Sequence, residues 1–124
     1  MKFFTVEEAN DILPLIIPKL KAIRKQYAQL AALRESATAA AVASEFGGGM
    51  IGGAGYVKTL YDIGKITTEL NESGIQLKDY TRGLIDFPSL KEGRIILLCW
   101  QIGDAEQIEW WHETDAGFAG RQRL

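Results

Sequence analysis

The sequence is poor in the residues that staple or anchor small proteins. Its 124 residues include one cysteine, Cys99, and one histidine, His112. A single thiol allows no internal disulfide, which excludes the disulfide-framework class of secreted domains and points to a reducing compartment. The two residues form neither C-x-x-C nor H-E-x-x-H, so no resident metal or other cofactor is expected. Long apolar runs are missing as well. Ile12 to Ile17 is interrupted by Pro14 and Ile95 to Trp100 is brief, far short of the ~20 residues that span a bilayer. After Lys2-Phe3-Phe4, the acids Glu7 and Glu8 stand where the apolar core of a signal peptide would continue. The expectation is a soluble, cytoplasmic chain with no membrane partner.

An excess of one charge sign is also lacking. Fourteen Lys and Arg stand against sixteen Asp and Glu, a formal net charge of -2. That balance argues against a general phosphate-binding surface, and no DNA-binding motif is present, so no nucleic-acid partner is expected. The densest basic cluster, Lys19, Lys21, Arg24 and Lys25, reads as the solvated face of a helix, because only Tyr27 is near enough to stack on a base. What the chain does have is a 47% hydrophobic composition. At this length about two-thirds of the unfolded surface can be buried, enough for one domain over residues 1–124.

Glycine divides that domain. Residues 1–46 contain none, whereas residues 47–55 contain six. Before the glycines, Thr5-Val6-Glu7-Glu8 fits a capping box, so helix one begins near Val6. Leu13, Ile16, Leu20, Ile23, Tyr27 and Leu30 then follow a 3-4-3-4 spacing, the seam of a coiled-coil-like helix. Pro14 and Pro18 each remove an intrahelical hydrogen bond, which predicts a bend or break there. After the glycine-rich loop over 47–55, helix two is predicted over 56–74, with Gly74 as the left-handed residue after its end and Ile75 touching Leu70 in a Schellman ending. Helix one is the longer of the two. Its unmatched end, and Leu30 and Leu33 if left wet, predict a homodimer formed through the helices.

Beyond Gly74 the period of the apolar residues changes from helical to alternating. Gly83 to Phe87 reads as a strand ended by Pro88, Lys91-Glu92-Gly93 as a turn, and Arg94 to Ile102 as a central strand. Gln107 to Glu113 returns after Gly103-Asp104, with Ile108, Trp110 and His112 on one face and Glu109, Trp111 and Glu113 on the other. The fold class is therefore α+β: a long N-terminal helical hairpin followed by a small three-stranded antiparallel sheet over 83–113 and a C-terminal tail over 114–124. With a four-residue loop after Ile102, Cys99 lies opposite Trp110 and diagonal to His112.

Several patterns carry weaker chemistry. Gly47-Gly48-Gly49-Met50-Ile51-Gly52 formally matches G-x-G-x-x-G, but no strand feeds it and no βαβ unit follows, so it reads as a loop. A zinc or iron site from Cys99, His112 and an acid such as Asp86 or Glu113 lacks diagnostic spacing. Cys99 sits among apolar neighbours, and burial raises a thiol pKa, so it reads as a core residue and not a nucleophile. Between Asp86 and Asp115 there are seven acids against Lys91 and Arg94, while the tail carries Arg121 and Arg123. These charges either hold a cation or pair internally. Because Trp100, Trp110 and Trp111 alternate in direction, at least one lies outside the helix-covered core, as a ligand wall or interface anchor.

Phe4-Thr5-Val6-Glu7-Glu8-Ala9-Asn10 leading to Leu13-Pro14, then Asp86-Phe87-Pro88, Leu98-Cys99-Trp100, Trp111-His112 and Gly117-Phe118-Ala119-Gly120-Arg121, resembles the bacterial domain-of-unknown-function family 2203 over nearly the whole chain. That family commonly has Gly-Glu after the third element, where Gly103-Asp104 stands here. The resemblance implies no activity. It marks Asp86, Cys99, Trp100, Trp111, His112 and Arg121 among the residues characteristic of the family. The expected site joins Asp86, His112 and Arg121 in one polar cleft at the sheet end, walled by Trp100 or Trp111, that binds a small anionic or polar ligand. The expected function is a non-enzymatic ligand-binding or protein-interaction module. The alternative is a small hydrolase using His112 with Asp86, assisted by a metal.

Overall fold

The computed structural model describes residues 1–44 and 53–124, with side chains outside residues 36–54. The glycine run from Gly47 to Gly52, with its G-x-G-x-x-G pattern, lies outside the described residues, as do the side chains of the Ala-rich stretch. Helix α1 spans Val6–Ser44 and α2 spans Gly53–Glu72. The strands are β1 (Gln76–Asp79), β2 (Leu84–Lys91), β3 (Arg94–Trp100), β4 (Trp110–Glu113) and β5 (Gln122–Arg123), with a short 3-10 turn at Phe118–Gly120.

Both ends predicted for the helices form as the sequence requires. The Thr5 hydroxyl accepts from the Glu8 N–H and the Glu8 carboxylate accepts from the Thr5 N–H, each at 3.0 Å. The bond donated to it by the Thr5 N–H, above all, holds the Glu8 carboxyl below its ordinary pKa. At the end of α2, the Ile75 N–H donates to the Leu70 carbonyl and the Gly74 N–H to the Asn71 carbonyl, with Gly74 at φ 85. That is the double bond pattern of a Schellman motif. The expected bend at the prolines does not break α1, which carries Pro14 and Pro18 inside it. Four residues apart, both prolines are on the exposed side, where water can satisfy the carbonyls they leave unbonded. On the other side Leu13, Ile16 and Leu20 are buried.

The sheet is larger than expected. Five strands, not three, pair antiparallel in the order β1-β2-β3-β4-β5. The two extra strands lie at the edges. Gln76–Asp79 is short, polar and irregular in register next to Asp79, and Gln122–Arg123 is only two residues long, so neither carries an apolar alternation. The predicted register of the centre holds, with Cys99 opposite Trp110 and Leu97 opposite His112.

One face of this sheet packs on the helices. Phe4, Leu13, Ile16, Leu20 and Ile23 join Leu70, Ile75, Ile85, Phe87, Leu98, Trp100 and Trp111 in a single buried cluster. The N-terminus is tied to the same face by the Phe4 N–H, which donates to the Pro88 carbonyl at 2.7 Å, and by an edge-on Phe4–Phe87 ring contact. Leu30, expected to stay wet without a second copy, is 3% exposed within the single chain. Apolar residues left outside include Leu15 on α1, Leu90 on β2 and a group on α2, where Val57 is 65% and Tyr61 70% exposed.

Candidate functional site

Strand alternation puts a different set of residues on the face away from the helices. Asp86 on β2 pairs in register with Cys99 on β3, which pairs with Trp110 on β4, while His112 stands opposite Leu97. Side chains of register partners point to the same face. Asp86, Cys99 and His112 thus meet from three adjacent strands, and all three are buried.

Asp86 is bonded to each of the other two. His112 Nε2 lies 3.0 Å from Asp86 Oδ1, and Nδ1 lies 2.7 Å from the backbone oxygen of Glu113. A carbonyl oxygen only accepts, so Nδ1 carries a proton. One further proton is then held between Nε2 and Oδ1, and the pair as a whole is neutral. Burial pushes the Asp86 carboxyl above its ordinary pKa, and His112 beside it opposes the shift. Cys99 also bonds Asp86; burial, with that acid next to it, pushes the thiol up to about 11.

A second polar layer lies behind Cys99. Arg121 makes a two-point ion pair with Asp104, Nη1 to Oδ2 at 2.8 Å and Nη2 to Oδ1 at 3.1 Å. Its guanidinium lies 4.5 Å from the ring centres of both Trp110 and Phe118, and Nη1 reaches to 3.9 Å from Cys99 Sγ. Asp104 also accepts from the Gln101 N–H. Burial acts to raise the Asp104 pKa, but the bonds from Arg121 and Gln101 outweigh it and hold the carboxyl below its ordinary value. The glycines of the Gly-Phe-Ala-Gly-Arg segment make this approach feasible. Gly117 sits at φ 67, and a Cβ on Gly120 would come within 2.6 Å of the Ala116 Cβ. Two of the remaining acids of the sheet end also pair internally, Glu113 with Arg94 and Glu109 with Arg123.

Above Asp86 and His112 opens a cavity of about 150 Å3, also lined by Lys78, Thr114, Gly117 and Phe118. A larger groove of about 490 Å3 lies apart, lined by Phe3, Phe4, Leu90, Ile96 and Trp111 among others. That groove is mostly apolar, and its acid, Glu8, is already bonded to Thr5. The smaller cavity is the one backed by buried titratable groups, which makes it the stronger site on chemical grounds.

Of the residues expected at one cleft, Asp86 and His112 are in direct contact, and Arg121 approaches them through Cys99. Trp100 and Trp111 are not with them: both belong to the cluster under the helices, with the Trp100 indole N–H donating to the Ala105 carbonyl. The tryptophan on the site's face is Trp110. Sequence reasoning missed Lys78, which belongs to the unpredicted strand β1, and it missed Asp104 as the partner of Arg121. The excess of acids over bases between Asp86 and Asp115 was the available signal for Asp104.

The molecule is thus a small α+β protein with a helical hairpin over one face of an antiparallel sheet and a buried Asp-Cys-His cluster on the other. The chain belongs to the DUF2203 family, described as an uncharacterized conserved protein, whose model matches residues 2–124. No curated protein and no solved structure matches it. Among the described residues, no helix is long and apolar enough to cross a membrane.

Proposed function

We propose that the chain is a non-enzymatic binding module that holds a small polar or anionic ligand over the Asp86–His112 pair. One observation carries the reading: a mutually bonded acid and histidine, both nearly fully buried, line a cavity together with Lys78 and Thr114, beside Leu84, Leu97 and Phe118. At about 150 Å3 the cavity suits a ligand of few heavy atoms, since pockets for larger molecules run to roughly 300–1,000 Å3. Lys78 adds a cation to the rim above a pair with no net charge, which favours an anion.

A hydrolase using His112 with Asp86 has less support. Both imidazole nitrogens are committed, one to a carbonyl and one to the acid, so neither is available to take a proton from water. The Cys99 thiol, raised to about 11, is protonated near neutral pH and a poor nucleophile.

Nuclear magnetic resonance of the full chain titrated with acetate and with phosphate tests the binding reading. Saturable shifts are expected at Lys78, Thr114 and Gly117, with affinity about tenfold weaker in Lys78→Ala. If neither anion moves those resonances, the reading falls.

Self-association through the helices is the second part of this proposal. Its support is the apolar stripe of Val57, Leu60 and Tyr61 on α2, all exposed in the single chain and at spacings that share a face. A dimer is expected in sedimentation at tens of micromolar, weakened by Tyr61→Lys. A clean monomer would remove it.

A further inference from the structure

The geometry points to a transition-metal site of the zinc class formed by Asp86 Oδ, Cys99 Sγ and His112 Nε2, with its remaining position open to the cavity. This deepens the binding-module reading and rests on it, because it names the species that would bind first at that pair. The three donor atoms lie within 4.8 Å of one another. Among the described residues, no other group of three His, Cys, Asp or Glu side chains is so placed. A tetrahedral ion with bonds of about 2.0 to 2.3 Å holds its donors roughly 3.3–3.7 Å apart, so the set needs only side-chain adjustment. One sulfur, one imidazole nitrogen and one carboxylate oxygen are a donor mixture that suits Zn2+ and Co2+ better than Mg2+ or Ca2+.

Two observations outside the donor set support the assignment. The His112 Nδ1–H is held by the Glu113 carbonyl, the outer-shell bond that fixes the tautomer of metal-binding histidines and turns Nε2 toward the ion. Arg121, held in place by Asp104, Trp110 and Phe118, sets a positive charge beside Cys99 Sγ, which favours the thiolate a metal requires. The charges balance as well. The ion replaces the proton held between Nε2 and Oδ1 and displaces the thiol proton, so two protons leave as two positive charges enter. The buried site stays neutral, which avoids the cost of an uncompensated buried charge. Because Asp86 and His112 both line the cavity, its contents can reach the ion, as in metal sites with three protein ligands and one exchangeable position.

The test uses the purified full chain stripped with chelator and then titrated with Co2+ and Zn2+. A Co2+ complex of one ion per chain is expected, with a sulfur-to-cobalt charge-transfer band and the visible absorption of tetrahedral coordination. Zn2+ should displace the Co2+ and raise the melting temperature. Cys99→Ser should abolish the charge-transfer band, and both Cys99→Ser and Asp86→Asn should weaken Zn2+ by at least about 100-fold, beyond what outer-shell changes cause. Circular dichroism confirms that each variant is folded, and the wild-type spectrum decides the matter by itself if neither is. No stoichiometric Co2+ uptake, or a charge-transfer band that survives Cys99→Ser, would overturn the assignment. Acetate or phosphate shifts at Lys78 and Gly117 in the stripped chain would then still uphold the cavity reading, so the two failures are distinct.

Discussion

The Arg121 guanidinium meets the Asp104 carboxylate in a two-point ion pair at 2.8 and 3.1 Å, and so fastens the C-terminal tail to the loop between the third and fourth strands. Both side chains are mostly buried, at 13% and 12% exposed. The tail therefore lies over the Asp86–Cys99–His112 face by a specific bond and not by loose packing.

Arg121→Ala is expected to destabilise the protein by about 3 kcal/mol, the scale for leaving one partner of a buried pair uncompensated. Arg121→Lys should recover only part of this, because a lysine neither forks onto the carboxylate nor stacks between Trp110 and Phe118. Acid sensitivity follows from the same pair. The Asp104 carboxyl is held below its ordinary value of 3.8, so the folded state binds its proton less readily than the unfolded chain. Its contribution is then complete above the ordinary value and is lost as pH falls through the lower folded value. Urea unfolding of wild type and Asp104→Asn should show a stability gap that is constant near neutral pH and shrinks below about pH 4. A gap that widens in acid would contradict this.

Cys99 is fully buried, and its thiol is pushed up to about 11. In the metal-free chain at pH 8, alkylation by iodoacetamide should run at least about 100-fold slower than in the urea-unfolded chain, where the thiol titrates near 8.5. Mass spectrometry over a time course measures both rates. Comparable rates would mean that Cys99 is open to solvent.

Gly120 has no room for a side chain, since an added Cβ would lie 2.6 Å from the Ala116 Cβ. Gly120→Ala should cost about 1–3 kcal/mol, the range for overpacking. Adding Ala116→Gly removes the obstructing atom and should return most of that loss, a coupling measurable in a double-mutant cycle. Strict additivity of the two changes would mean that the clash is relieved elsewhere.

Much of the fold was legible because it depends on neighbours in sequence. Thr5 and Glu8 are three residues apart and close a capping box wherever the chain goes next. Leu70, Gly74 and Ile75 likewise end a helix by local bonds alone, and the period-2 pattern from Trp110 to Glu113 assigns each side chain a face. The edge strands were not legible. Gln76–Asp79 and Gln122–Arg123 have no apolar alternation and are strands only because β2 and β4 offer them unpaired backbone groups. The prolines are a related case: they leave α1 unbroken, since whether a missing hydrogen bond breaks a helix depends on which side of it meets water.

By itself the sequence determined the two helices with their end signals and, given an even loop after Ile102, that Cys99, Trp110 and His112 share one face, although it ended the second strand at Pro88 where the strand runs on to Lys91. Only the tertiary structure decided what meets there. Trp100 and Trp111 went to the helix side, Lys78 arrived on an unpredicted strand, and Asp104 took Arg121 as its partner. Those outcomes depend on contacts between residues far apart in the chain, and periodicity carries information about the face a residue is on but not about what covers that face.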